Sequence, residues 1–282
     1  MTKLNLLHLG LNEFFDRKSD ILYGLYHAFR TLGYDTTVSH NEIKGKRLNL
    51  IIGSDVIAGD SSAMQTFLGS GVDFGVYEVE NYNGTTINYR QNFNNKNYMR
   101  LIEESKTVIT PYMYNLKALA NACDAGKLHY AKWGFHECMQ SQNVSRSSEP
   151  EFLACFFGLI KGSRISKKDE LLKYHPGRIK FIGQDDPFSV RDYTISQSKF
   201  GLSLSYGLTD DFVNPFRLNY MAANGVSILS DHENDEDGYN FLCERSSFEQ
   251  LLQSLSSNAL NPRDVIDRAQ SIRLTDGLRG IL

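Results

Sequence analysis

The sequence predicts an α/β protein made of two parallel-sheet domains, and three observations carry that prediction. Residues 1–40 read strand, helix, strand; a polar, Ser-rich stretch at 140–150, QSQNVSRSSEP, precedes a fresh apolar strand; and residues 212–231, FVNPFRLNYMAANGVSILSD, read loop, helix, tight turn and buried strand. At 282 residues the chain has room for two domains of ordinary size. They are expected at 1–140 and 150–282, with the Ser-rich stretch as linker.

Composition narrows the class. A hydrophobic share of 41% with 12% aromatics is enough for folded cores, and a net charge of −3 supplies no global basic field toward nucleic acid or an anionic membrane. Cys123, Cys138, Cys155 and Cys243 lie far apart without CxxC spacing, which suits reduced, buried thiols better than a zinc site or a disulfide framework. The opening MTKLNLLHLG is too short and too soon polar for a signal peptide, and no apolar run reaches the roughly 18 residues a membrane span requires. A cytoplasmic protein is expected.

Residues 4–9 form an apolar first strand ending at Gly10. Ser19 or Asp20 caps a helix over 21–32, with Leu22, Leu25, Tyr26 and Phe29 on one face and Gly33 as its stop. Further strands follow at 34–39, 48–53 and 72–79. The last of these closes in Glu78-Val79-Glu80, and acids at the carboxyl end of a strand fall on the ligand-binding edge of such a sheet. Glu80 is preferred for a site because it lies nearer the loop, with a solvated acid as the alternative. Residues 81–97, Asn-rich with interleaved aromatics, read as a long loop that either lines a site or is mobile surface. A helix over 98–105, a strand at 107–110, a helix over 113–123 and a strand at 128–130 complete this half. His136 follows in Lys132-Trp133-Gly134-Phe135-His136, where an imidazole fits either a base near neutral pH or a packed position. The histidines form no metal-like cluster, no HExxH occurs, and no GxGxxG follows the first strand.

The second half reads strand at 152–159, helix over 167–174, strand at 179–182 ending in Gly183, helix over 190–199 and strand at 200–205. A polar loop containing Asp210 leads to Asn214-Pro215, a good cap and first-turn pair, and then to a helix carrying Arg217, Leu218, Met221 and Ala222 that stops at Asn224-Gly225 before a strand at 226–229. Free N–H groups and the helix dipole at such a terminus favour an anion. Glycine near Gly158 or Gly162 would let the backbone approach a pyrophosphate, Arg164 would grip it in a bidentate way and Lys168 would add a point charge. Lys161, Arg164, Lys167, Lys168, Lys173, Arg178 and Lys180 crowd into 161–180, which otherwise reads as a solvated basic helix face. Ser246 or Ser247 caps a helix with Phe248, Leu251, Leu252 and Leu255, and 261–282 gives one further helix and a short tail.

Arg217-Leu218-Asn219-Tyr220-Met221-Ala222-Ala223-Asn224-Gly225, followed by Ser230-Asp231, resembles the nucleotide-binding segment of group 1 glycosyltransferases with the two-domain GT-B fold, especially the spore-maturation-type branch. That branch carries approximately Arg-Leu-Phe-Glu-Ala-x-Ala-x-Gly, then hydrophobic residues and Thr-Asp. Tyr220 stands where the family usually has the Glu that holds the ribose hydroxyls. FFGLIKGSRISKKDELLKYHPGRIKFIGQ is similar to the family's Phe-Val-Gly-Ser, Arg, Leu-Leu helix and Gly-terminated strand; Asp210-Asp211-Phe212 fills the place of its acid before an aromatic; KLHYAKWGFHE is similar to its interdomain crossing. The resemblance covers most of the chain, most strongly from about 152 to 255.

It implies two Rossmann-like domains facing across a cleft. A nucleotide-sugar donor would be held by Gly158, Arg164, Lys168, Gly183, Asp210, Asn214, Arg217 and Tyr220 in the second half. The acceptor, a glycan or small molecule and less readily a nucleic acid, would be held by the first half. Glu80 is the base, with His136 in reserve; neither a metal nor a cofactor beyond the nucleotide sugar as co-substrate is implied. Two other readings stay open: a catalytically silent sugar-nucleotide or glycan-binding protein, and an unrelated two-domain α/β ligand-binding protein or NAD(P)-dependent enzyme.

Overall fold

The structure is a computed structural model that describes all residues except 1, 13, 14, 16, 17, 88–92, 122, 184, 185, 207–212 and 234. The chain divides into two compact units, one made of Met1–Lys132 with Leu274–Leu282 and the other of Trp133–Arg273.

In the first unit, β1 (Lys3–His8), β2 (Asp35–His40), β3 (Leu48–Ile52), β4 (Phe74–Tyr77), β5 (Val108–Thr110) and β6 (Leu128–Tyr130) form one parallel sheet in the order β2-β1-β3-β4-β5-β6. A polar stitch fixes its centre. Asn5 donates to Ser39 at 2.8 Å and to Asn49 at 3.0 Å and accepts from Thr37 at 3.0 Å, so a one-residue slip of β1 would strand three buried or half-buried side chains. The helices are α1 (Ser19–Thr31), α2 (Ser54–Gly59), α3 (Ser61–Gly69), α4 (Asn95–Glu104) and α5 (Met113–Leu119). Sequence reading did not anticipate α2 and α3; Asp60 starts α3 by accepting from the N–H groups of Ser62 and Ala63 at 3.0 Å. The segment expected to be a long loop is partly built in: Tyr82 is buried, bridges to Ile87, and its hydroxyl donates to Gly84 O at 2.7 Å and Asn95 at 2.9 Å.

In the second unit, β7 (Phe152–Phe157), α6 (Arg164–Tyr174), β8 (Ile179–Ile182), α7 (Phe188–Ser196), β9 (Ser198–Ser203), α8 (Pro215–Ala223), β10 (Ser227–Ser230), β11 (Cys243–Arg245), α9 (Phe248–Ser254) and α10 (Pro262–Gln270) follow in turn. The strands pair parallel in the order β11-β10-β9-β7-β8. Ser247 and Gln250 form a full capping box at α9, as the serine pair foretold.

Two boundaries differ from expectation. The division falls at Lys132/Trp133, not at 140–150, because the Ser-rich stretch is tied along α7: Ser141 Oγ donates to Asp192 at 2.7 Å and Ser147 N–H to Ser196 O at 3.1 Å. After α10 the chain does not trail off as a tail. It re-enters the first unit as α11 (Leu274–Leu278), whose buried Leu274 and Leu278 pack toward α1.

Candidate functional site

Ligands of open parallel sheets bind beyond the carboxyl ends of the strands, where the strand order reverses. Each unit has such a point: between β1 and β3 in the first, and between β7 and β9 in the second.

In the second unit the crevice is bounded by the loop after β7 and the loop after β9, and Arg164 stitches these loops together. Only 3% exposed, Arg164 donates from Nε to Leu204 O at 2.6 Å and from Nη1 to Leu159 O at 3.1 Å, beneath the Tyr206 ring at 3.7 Å. The guanidinium expected to grip a ligand is therefore engaged inward. Behind it, Lys167 pairs with the buried Asp231 at 2.6 Å and donates to Ser205 Oγ at 2.6 Å, while Ser205 N–H donates to Asp231 at 2.6 Å. Two cationic stitches thus fix the carboxyl edge.

Arg217, half-buried, lies on the neighbouring helix. Asn214 caps α8 by accepting from Arg217 N–H at 2.9 Å, and the Arg217 guanidinium lies over Phe156 at 4.7 Å and Phe157 at 5.6 Å. Gly158, at φ 130°, has no room for a side chain, because a Cβ would strike Arg217 Nη2. Arg164 shares the Phe156 ring at 5.4 Å, so Gly158, Arg164, Asn214 and Arg217 do come together. Tyr220 joins them edge-on to Phe157; its hydroxyl donates to Asp192 at 2.6 Å and its ring carries Arg191 at 4.0 Å. Lys168 sits apart, over Phe181 of β8 at 5.6 Å, and Gly183, on the outer strand, donates its N–H to Asp186 at 2.6 Å. Asp210 lies outside the described residues.

The first unit's edge gathers charge that local sequence did not reveal. Lys18, 8% exposed, pairs with Glu80 at 3.0 Å and Asp55 at 3.5 Å, over Gly53. Burial works against its ammonium, but Asp55, Glu80 and Glu78 together hold it above the ordinary lysine range. Glu78 is fully buried. It accepts from the Ser54 hydroxyl and from Glu80 N–H at 2.9 Å, and burial, then the nearby Asp55, push its carboxyl up to about 7. Glu80 is half-buried at the rim, its carbonyl held by Asn115 Nδ2 at 2.7 Å. His8, at the end of β1, is fully buried beside this group, and burial followed by Lys18 and His40 lowers its imidazole to about 4.

His136, the reserve base, belongs to the other unit. It is 8% exposed and caps a short turn by accepting from Cys138 N–H at 3.2 Å. Cys155 and Cys243 are buried, and burial raises their thiols to about 11 and about 12, while Cys123 and Cys138 are half-buried. Among the described residues no group of three or more His, Cys, Asp or Glu is arranged to hold a metal ion, and no helix is long and apolar enough to cross a membrane.

No protein-family model matches the chain. No curated protein matches it in sequence. Solved structures do match in fold. A lipopolysaccharide outer core galactosyltransferase in its apo form superposes with a TM-score of 0.56 at 8% identity, covering 99% of both chains. An alpha-glucosyltransferase in complex with UDP and a mismatch-containing 13-mer DNA gives 0.55 at 10% identity, covering 99% of this chain and 95% of that one. A UDP-N-acetylglucosamine 2-epimerase gives 0.51 at 10% identity, covering 96% and 91%. The chain therefore has the GT-B fold of two parallel α/β units.

Proposed function

We propose that this protein is a glycosyltransferase that moves a sugar from a nucleotide-sugar donor to an acceptor hydroxyl without an obligatory metal. The observation that carries the reading is the β7/β9 edge of the second unit, where Arg217 lies beside the capped N-terminus of α8 and above the side-chain-free Gly158.

A departing nucleoside diphosphate gains negative charge as the glycosidic bond breaks. Arg217, Lys168 and the first turn of α8 would meet that charge with fixed dipoles and cations. Arg164 would act through position, by holding the two loops at the separation a diphosphate requires. Gly183, Asp210 and Tyr220 complete the proposed donor set, with Tyr220 bringing a hydroxyl already engaged by Asp192 where the family usually has a carboxylate. The acceptor falls to the first unit. Glu80, paired with Lys18, is the proposed base, and His136 is the reserve. A fold neighbour solved with UDP makes uridine nucleotides the first donors to try. A reducing cytoplasmic setting goes with four free cysteines.

The test is thermal stabilisation by UDP, GDP, ADP, TDP, CMP and their sugar conjugates, repeated with Arg217→Ala, since a ligand of the folded state raises the melting temperature. Stabilisation by one nucleotide series that fades in the variant supports the donor site; no stabilisation by any nucleotide sinks it. A silent binder is the second reading, favoured by the engagement of Tyr220 with Asp192. Release of free sugar or a glycosylated product from the stabilising conjugate would exclude it.

A further inference from the structure

We propose that the crevice between the carboxyl ends of β1 and β3 in the first unit binds a hydroxyl of a neutral sugar or polyol, with the His8 imidazole as its central hydrogen-bond partner. As an acceptor seat this rests on the transfer reading above; as a binding site it does not.

The first observation is His8 itself. Its ring is completely buried, and neither Nδ1 nor Nε2 has a hydrogen-bond partner. Leaving both nitrogens of a buried imidazole unsatisfied is costly, so such a group is expected where a ligand supplies the missing bonds.

The second is the rim, which is built in advance. Gly10 follows β1 at φ 135° and is clamped by Asn41, which accepts from its N–H at 2.8 Å and donates to its carbonyl at 2.9 Å, with His40 Nε2 at 2.8 Å from the same carbonyl. Asn41, after β2, is the only non-glycine with positive φ among the described residues, at 55°. Such backbone costs are tolerated where a loop must hold one shape. Gly53 follows β3 at φ 81°, and a Cβ there would come within 2.6 Å of Lys18 Nζ. Three adjacent loops around the strand-order reversal are therefore locked.

The third is the chemistry. His8 is held neutral through the physiological range, so one ring nitrogen donates and the other accepts. A hydroxyl does both and is the complement. Among the described residues Lys18 faces both Asp55 and Glu80, so a phosphate or carboxylate there would meet more carboxylate than cation. The Phe15 ring, 5.9 Å from His8 and stacked on His40 at 4.8 Å, gives an apolar wall suited to a sugar face. The same burial that keeps the imidazole neutral makes it a weak proton acceptor, which leaves proton removal to Glu80.

The experiment follows the Cε1–H signals of the seven histidines in the full-length protein, with His8 assigned from His8→Leu. Methyl glucoside, methyl galactoside and N-acetylglucosamine are titrated in turn, with inorganic phosphate as the anionic probe, in the absence and presence of UDP. A saturable shift of His8 with at least one sugar and none with phosphate is expected. His8→Leu should weaken that sugar by about tenfold or more as read by calorimetry, while His8→Gln, which still donates and accepts, should retain most of the affinity. The melting temperature of His8→Leu should equal or exceed that of the parent, since the lost nitrogens bond nothing in the fold; this separates a binding role from a structural one. Silence of His8 toward every sugar, a stronger response to phosphate, or undiminished sugar binding in His8→Leu would overturn the proposal. UDP binding read in the same samples reports separately on the donor site.

Discussion

The two sheets end in opposite chemistry at equivalent points. At β7/β9, among the described residues, Arg164 and Lys167 bind carbonyls and Asp231 and so fasten the loops, while Arg217 lies over Phe156 beside a helix terminus. At β1/β3, among the described residues, the buried Lys18 is shared between Asp55 and Glu80, and an imidazole is left without bonds. One edge is stitched from within by cations; the other is locked by backbone conformation and holds an imidazole without bonds. On the two readings proposed above, the same topology would serve an anion in one unit and a neutral hydroxyl compound in the other, with the selection in a handful of loop residues.

The contrast is broken most forcefully at Lys18. Lys18→Met leaves Asp55 buried without its cation and should cost about 3–5 kcal/mol in urea unfolding. Lys167→Met should cost less, about 2 kcal/mol, because Asp231 keeps the N–H of Ser205. Equal losses would show that the two lysines do the same job.

The pH dependence of stability sharpens the comparison next. Between pH 4.5 and 6.5, Glu78 in the folded chain, at about 7, keeps a proton that the unfolded chain has released, so its contribution falls as pH rises. His8, lowered to about 4 from 6.5, refuses a proton that the unfolded chain accepts, so its contribution rises with pH over the same interval. Groups around them are Lys18, Asp55, Glu80, His40 and Tyr98. The two slopes oppose each other in the parent. Glu78→Gln should expose a gain with rising pH and His8→Leu a loss, each roughly 2 kcal/mol across the interval by thermal or urea unfolding.

Smaller effects belong to the second unit. Arg217→Ala should weaken the stabilising nucleotide by about tenfold, and Gly158→Ala should do the same by displacing the guanidinium, both by calorimetry. Lys168→Ala should cost only about 0.5 kcal/mol of nucleotide affinity, and that loss should vanish at high salt.

The alternation of strands and helices was legible because apolar runs bounded by Gly, Asn-Pro and Ser pairs have few other solutions. The helix after Asn214-Pro215 begins and ends where those signals put it. The short helices at 54–69 were missed, since each spans only about two turns and its apolar stripe is correspondingly short, although Asp60 was a usable start signal and Met64 and Phe67 are spaced as buried helix positions. Glu80 was ranked above Glu78 because it lies nearer the loop, with the strand's alternation extended to residue 80 to put both on one face. The strand ends at Tyr77, so the face rule no longer holds there, and Glu78 turns into the core instead. Lys18 was not singled out, because its partners Asp55 and Glu80 come from two other loops. Arg164 was recognised as important from its residue type, but whether a guanidinium faces a ligand or a carbonyl is decided by the β9 loop far along the chain.

The return of α11 to the first unit has a practical corollary for anyone dividing the gene. Cutting after Lys132 would not release a self-sufficient piece: it would strip α1 of Leu274 and Leu278 and remove the carbonyl of Leu282 that accepts from the Tyr34 hydroxyl at 2.8 Å. An isolated first half would need those closing nine residues, Leu274–Leu282, grafted back through a flexible splice, whereas Trp133–Arg273 can be excised as one uninterrupted stretch.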